Sequence, residues 1–142
     1  MARRQVSGNA ANILNALRAA RRPLSAYELI EAIRPQVVAA PPTVYRALKK
    51  LVSEGKAHRV ESLNAFVACS HPEHSEHDRD HAARVCFAIC DRCGAIEEIV
   101  NPVSAESLAA DLSKLSFAPR AITIEVRGLC ARCRSREASA AV

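Results

Sequence analysis

The 142-residue chain has no tryptophan, one methionine, two tyrosines and three phenylalanines. Its core must therefore be largely aliphatic and alanine, in one compact domain or two small ones. Two small domains without large aromatic side chains are thinly stabilised by packing alone, so a bound metal or oligomerisation is expected. No apolar run approaches membrane-spanning length, and the opening MARRQVSGNAAN lacks the apolar stretch of a signal peptide. The expectation is a cytoplasmic protein without a membrane partner. In that compartment disulfides do not persist, and six cysteines point to metal or redox chemistry instead.

Charge is unevenly spread. Residues 1–66 carry eleven Lys/Arg against four Asp/Glu, whereas residues 67–142 carry nine against eleven. The first half has the electrostatic footprint of a nucleic-acid or anionic-surface binder, which a merely solvated basic face would also show.

Apolar periodicity gives the elements. Ile13, Leu14 and Leu17 mark a helix that ends before Pro23. SAYELIEAIR opens with Ser25 and Glu28 at capping-box spacing and stops at Pro35. PPTVYRALKKLVSEG is the clearest helix, closed by Gly55, with Val44, Leu48, Leu51 and Val52 expected on one face. Tyr45, Arg46, Lys49 and Lys50 spread over the rest of its circumference. KAHRVESLNAFVAC reads as a hairpin turning at ESLN, so that Val60 faces Ala65 and His58 faces Val67. Three short helices and a basic-flanked hairpin make a winged helix-turn-helix over residues 1–70. Its third helix would enter the major groove, with the hairpin along the backbone.

Residues 71–84 are polar and aperiodic, an expected linker. Beyond them VCFAI, the knuckle CDRCG and AIEEIV read as strand, turn and strand. A helix follows with Asn101 as N-cap and Pro102 as first helical residue, marked by Leu108, Leu112 and Leu115. APRAITIEVRG is a third strand, and the arginine-rich end reads as a short or frayed helix. The fold class is α+β: a winged helix followed by a small α/β domain over residues 85–142.

The paired CxxC motifs, Cys90/Cys93 and Cys130/Cys133, are the strongest chemical signal. Each knuckle points two thiolates at one ion, and two knuckles complete a tetrahedral four-sulfur shell. Thirty-six residues separate the knuckles, so the fold must bring them together. Structural zinc is favoured over a redox dithiol, and a closed four-sulfur shell leaves no open position for a substrate. His58 and Cys69 fall on one face of the hairpin, within reach of one ion. A solvated wing histidine and a small buried thiol explain them equally well. Glu97 and Glu98 alternate faces, His71, His74, His77 and His81 lie in the polar loop, and Cys86 reads as a buried thiol.

SAYELI, PPTVYRALKKLVSEGKAHRVESLNAFVAC, ICDRCGAIEE and GLCARC together closely resemble the Fur family of metal-dependent repressors, specifically its zinc-sensing branch. The match runs from about residue 10 to 137. The resemblance implies a C-terminal dimerisation domain, hence a homodimer, and a structural zinc on Cys90, Cys93, Cys130 and Cys133. It also implies a second, regulatory zinc on His58, Cys69, a loop histidine and Glu98, making two zinc ions per chain. The family histidine usually sits nearer the knuckle than His81, which lies nine residues before Cys90; His81 is the nearest here, with His77 its rival. Tyr27 and Arg46 match DNA readers of the branch. Tyr45 is expected to contact backbone or pack, and Lys49, Lys50, Lys56 and Arg59 to contact phosphate.

The implied activity is repression of zinc-uptake genes at palindromic operators in double-stranded DNA, without catalysis or a small organic substrate. An iron or peroxide sensor of the same family is the nearest rival. A zinc deaminase is a rival of another class, because His74-Ser75-Glu76 is an H-x-E. Ile89 stands where that motif's knuckle needs proline, and the second CxxC would go unexplained.

Overall fold

Ser25 Oγ accepts a hydrogen bond from the Glu28 amide at 3.2 Å, while the Ser25 amide donates to Glu28 Oε2 at 2.8 Å. This reciprocal cap starts α2 (Ala26–Ile33). The Ser25 amide, then Arg22 at 3.0 Å, holds the Glu28 carboxyl below its ordinary pKa. The structure, a computed structural model, describes residues 2–70, 84–100 and 102–141. It divides into two units, Met1–Pro72 and Glu73–Val142.

In the first unit α1 (Ala2–Ala20), α2 and α3 (Pro41–Ser53) precede a hairpin of β1 (Ala57–Val60) and β2 (Ala65–Ala68). Prolines open α3, where their missing amides cost nothing. Gly55, at φ 71°, closes it: its amide bonds the Val52 carbonyl and the Lys56 amide bonds the Leu51 carbonyl. That pair is a Schellman stop, which requires a left-handed residue. Ile13, Leu17, Leu29, Ile33, Val44 and Leu48 form a solvent-free aliphatic core.

Val52 is 38% exposed, contrary to the face expected for it, and Ala47 is buried instead. At about 100° per residue, Val52 lies roughly 80° round the helix from Val44, beside Tyr45, whereas Ala47 stays within roughly 60°.

The hairpin register pairs His58 with Val67 and Val60 with Ala65, as its turn predicts. A 3-10 turn over Glu61–Leu63 and a left-handed Asn64 make the reversal. Leu24 adds a bridge that the sequence pattern does not reveal. Its amide and carbonyl exchange hydrogen bonds with Phe66 at 2.9 and 2.8 Å, tying the start of α2 to the wing.

In the second unit β3 (Arg84–Cys90) is central, antiparallel to β4 (Ile96–Val100) and parallel to β5 (Ile122–Gly128). A central strand is covered on both faces, hence the nearly unbroken apolar run of β3. Arg84 already opens that strand, one residue before the expected boundary. Helix α4 (Val103–Lys114) has Pro102 as its N-cap, one position from expectation, because Pro102 keeps an extended ψ of 143°. Asn101 lies outside the described residues. The leucine rhythm marks α4, yet Leu108 and the following Leu115 are exposed, and Ala105 is the buried residue. Helix α5 (Ala131–Ala140) starts at its N-cap, Cys130. The architecture is α+β, and among the described residues no helix is long and apolar enough to cross a membrane.

Candidate metal centre and nucleic-acid face

β3 delivers Cys90 at its end, and the turn to β4 carries Cys93; β5 leads to Cys130, and the first turn of α5 carries Cys133. Parallel pairing of β3 with β5 puts Cys90 beside Gly128, so both knuckles emerge from the same end of the sheet. All four Sγ atoms lie within 4.8 Å of one another. Cys93 Sγ and Cys130 Sγ are 3.7 Å apart. A tetrahedral ion with bonds of about 2.3 Å to sulfur places neighbouring sulfurs roughly 3.8 Å apart. A disulfide needs about 2.05 Å, so the spacing is that of ligands around one ion.

The surroundings are built for thiolates. Backbone amides of Cys130, then Cys93 and Arg92, aim at the Cys90 sulfur and lower its pKa to about 6. The Ala95 amide does the same for Cys93, whose thiol also titrates low. Desolvation dominates at Cys133, and it and the neighbouring thiols push that residue up to about 12. Gly94, at φ 72°, turns the first knuckle, with its amide on the Cys90 carbonyl at 3.0 Å. Donor chemistry, separation and amide placement all fit a soft divalent ion.

In the other unit His58 and Cys69 are both buried, and a ring nitrogen of one lies within 4.8 Å of the sulfur of the other. The hairpin arranges this. Cys69 sits one step past β2, its amide on the Lys56 carbonyl at 2.9 Å, diagonal to His58. Glu98 is half-buried on β4 opposite Phe87, while Glu97 is exposed. His71, His74, His77 and His81 lie outside the described residues, as does Glu76 of the H-x-E motif.

The solvent side of α3 presents Tyr45, Arg46, Lys49 and Lys50. Tyr27, 73% exposed on α2, borders an open cleft of about 1010 Å³. The cations differ in their engagements. Lys50 and Lys56 share Glu54 at 3.9 and 2.9 Å. Arg59 bonds Glu61 at 3.3 Å and Asn64 at 3.2 Å, with its guanidinium 6.0 Å from the Phe66 ring centroid. Among the described residues Arg46 and Lys49 form no ion pair, so α3 offers them to a partner at no cost in broken contacts.

No protein-family model matches the chain. The crystal structure of holo XcZur superposes with a TM-score of 0.78 at 42% identity, covering 89% of this chain and 84% of that one. A zinc uptake regulator complexed with zinc and DNA gives a TM-score of 0.80 at 34% identity, over 92% of this chain and 83% of that one. The zinc uptake regulation protein of Escherichia coli (strain K12) is 40% identical over 121 residues, 81% of this chain. The chain belongs to the Fur family of metalloregulators, in its zinc uptake regulator branch.

This Fur-family chain spans 64% of the length of the curated relatives it matches. Two features beside its cysteine centre escape sequence reasoning. Arg127 of β5 clasps Asp91 of the first knuckle through Nε at 2.8 Å and Nη2 at 2.7 Å. Arg132, within the second CxxC, hydrogen-bonds the Cys93 sulfur. The only signal for either was a charged residue at a spacer position of the motif.

Proposed function

We propose that the chain is a zinc-responsive transcriptional repressor. It binds palindromic operators of zinc-uptake genes in double-stranded DNA as a cytoplasmic homodimer, and it is not an enzyme. The observation that carries this reading is the buried His58–Cys69 pair on the hairpin that follows α3, the helix bearing Arg46 and Lys49. A metal ligand pair in a wing has a direct route to the presentation of the adjacent helix to DNA. Similarity to a regulator complexed with zinc and DNA supports it.

Two zinc ions per chain are proposed. Cys90, Cys93, Cys130 and Cys133 would hold a structural one. His58, Cys69, His81 and Glu98 would hold the regulatory one, with residues 71–84 as hinge. The exposed Ile99, Val103, Leu115, Phe117 and Val126 of the second unit support dimerisation, since contiguous apolar surface of that kind is ordinarily covered.

When bound, zinc supplies a Lewis-acid centre that holds thiolate, imidazole and carboxylate at one point. His58 and Cys69 come from the DNA-binding unit and Glu98 from the other, so shared ligation selects one relative orientation of the two. That orientation sets the spacing of the dimer's recognition helices on successive major grooves. Zinc and operator then raise each other's affinity by the same factor. Arg46 is suited to bidentate contact with a guanine edge, and Lys49 to phosphate.

Zinc-titrated binding to a palindromic operator, with metal counted per chain, tests the reading. Expected are two zinc ions per wild-type chain, and about one in Cys69→Ser with loss of zinc-dependent binding. Unchanged operator affinity in both Cys69→Ser and His58→Ala would overturn the clamp. Activation by iron at a lower free concentration than zinc would overturn the metal.

A further inference from the structure

Arg132 is the second residue of α5, whose N-cap is Cys130. A cation in the first turn of a helix opposes the helix dipole, so this is an unfavourable place for arginine unless something negative lies beside it. The negative partner is sulfur. The guanidinium hydrogen-bonds Cys93, and the charges of Cys93, Cys130 and Cys133 all act on it. Cys93 is the exposed member of the four thiols, the one from which water or a chelator can first reach an ion. Four thiolates around a divalent zinc carry a net charge of minus two, and this cation is placed to offset part of it. A second arginine serves as an internal contrast. Arg127 engages Asp91 and not a sulfur, while the Asp91 amide bonds the Gly128 carbonyl at 2.8 Å. It braces the backbone of the same knuckle from outside.

We propose that Arg132 is a positioning residue of the metal centre, holding the Cys93 thiolate on the ion by charge-assisted hydrogen bonding and so slowing metal release. This rests on the reading that the four cysteines hold zinc. Outer partners of metal ligands typically govern affinity or lifetime by about 10- to 100-fold. Because Arg132 is solvent-exposed, the lower end of that range applies.

The test uses the zinc-loaded full chain in excess EDTA, with iodoacetamide present. The alkylation rate of Cys90, Cys93, Cys130 and Cys133 is followed by peptide mass spectrometry, which reports this centre separately from Cys69. In Arg132→Ala, alkylation of Cys93 and Cys130 should run about tenfold faster than in wild type. Arg132→Lys should restore most of the protection, and the gap should narrow near 1 M salt, where the screening length falls to about 3 Å. Arg127→Ala should stay within about twofold of wild type. Wild-type protection in Arg132→Ala, failure of the lysine variant to rescue, or equal acceleration in Arg127→Ala would overturn the proposal. Absence of zinc from the four thiols of the wild-type chain would overturn the structural-zinc reading with it.

Discussion

In the unit spanning Met1–Pro72, Ile13, Leu29 and Val44 are sealed from solvent, and an isolated strand residue, Leu24, ties the helices to the wing. In the unit spanning Glu73–Val142, Leu115 is 76% and Phe117 58% exposed, and α4 buries only Ala105. The two are of nearly equal length, so the difference is one of strategy. The first unit spends its apolar residues on its own core. The second keeps many of them on its surface and gathers four thiols at one end of a three-stranded sheet. A domain of this size with few large buried side chains needs a staple or a partner, and the second unit has the chemistry for both.

The sharpest way to break the contrast is to remove the staple. Cys93→Ser is expected to abolish metal binding at the four-thiol centre and to unfold or monomerise the second unit, leaving the helical first unit folded. Metal counting, sedimentation and hydrogen exchange resolved by unit check this. Equal loss of protection in both units would remove the distinction.

Acid should act on the same unit. Ligation needs thiolates, and Cys133, raised to about 12 by desolvation, still carries its proton at neutral pH and must release it on binding. Cys90, lowered to about 6 by amide donors, is already ionised there. Zinc affinity of the centre should therefore fall as pH falls, and more steeply once pH drops below about 6, where Cys90 too must lose a proton. Competition against a chelator of known pH dependence measures the slope.

A core substitution probes the opposite unit. Leu48→Ala should cost about 2–5 kcal/mol in the unfolding of the first unit, through lost burial and a residual cavity, while the four-thiol centre keeps its metal. Smaller still, Ser25→Ala removes one half of the capping box and should lower the stability of the first unit by about 1 kcal/mol, read from denaturant midpoints.

Much of the first unit could be read from residues alone because its signals are local. The capping box, the proline start and glycine stop of α3, and the His58–Val67 register each depend on neighbours a few positions apart. Val52 was misplaced for the same reason. A step pattern says which residues cluster on a helix but not where the buried sector ends, and Ala47 is too small to stand out as core. Of the metal-site residues, the CxxC pairs announced themselves by spacing, whereas Asp91, Arg127 and Arg132 did not. Their partners lie 36 or more positions away, and nothing in a charged spacer residue tells which sulfur or carboxylate it will meet.

By itself the sequence determined the element order, the family, the two cysteine knuckles and the cationic face of α3, because these follow from periodicity, capping chemistry and ligand spacing. Only the tertiary structure decided that Leu24 pairs with Phe66, that α4 leaves its leucines outside, and that Arg132 rather than Arg127 touches a thiolate sulfur. Each of these depends on how far apart in space the fold sets groups that are distant in the chain, and charge and hydrogen bonding act over that distance alone.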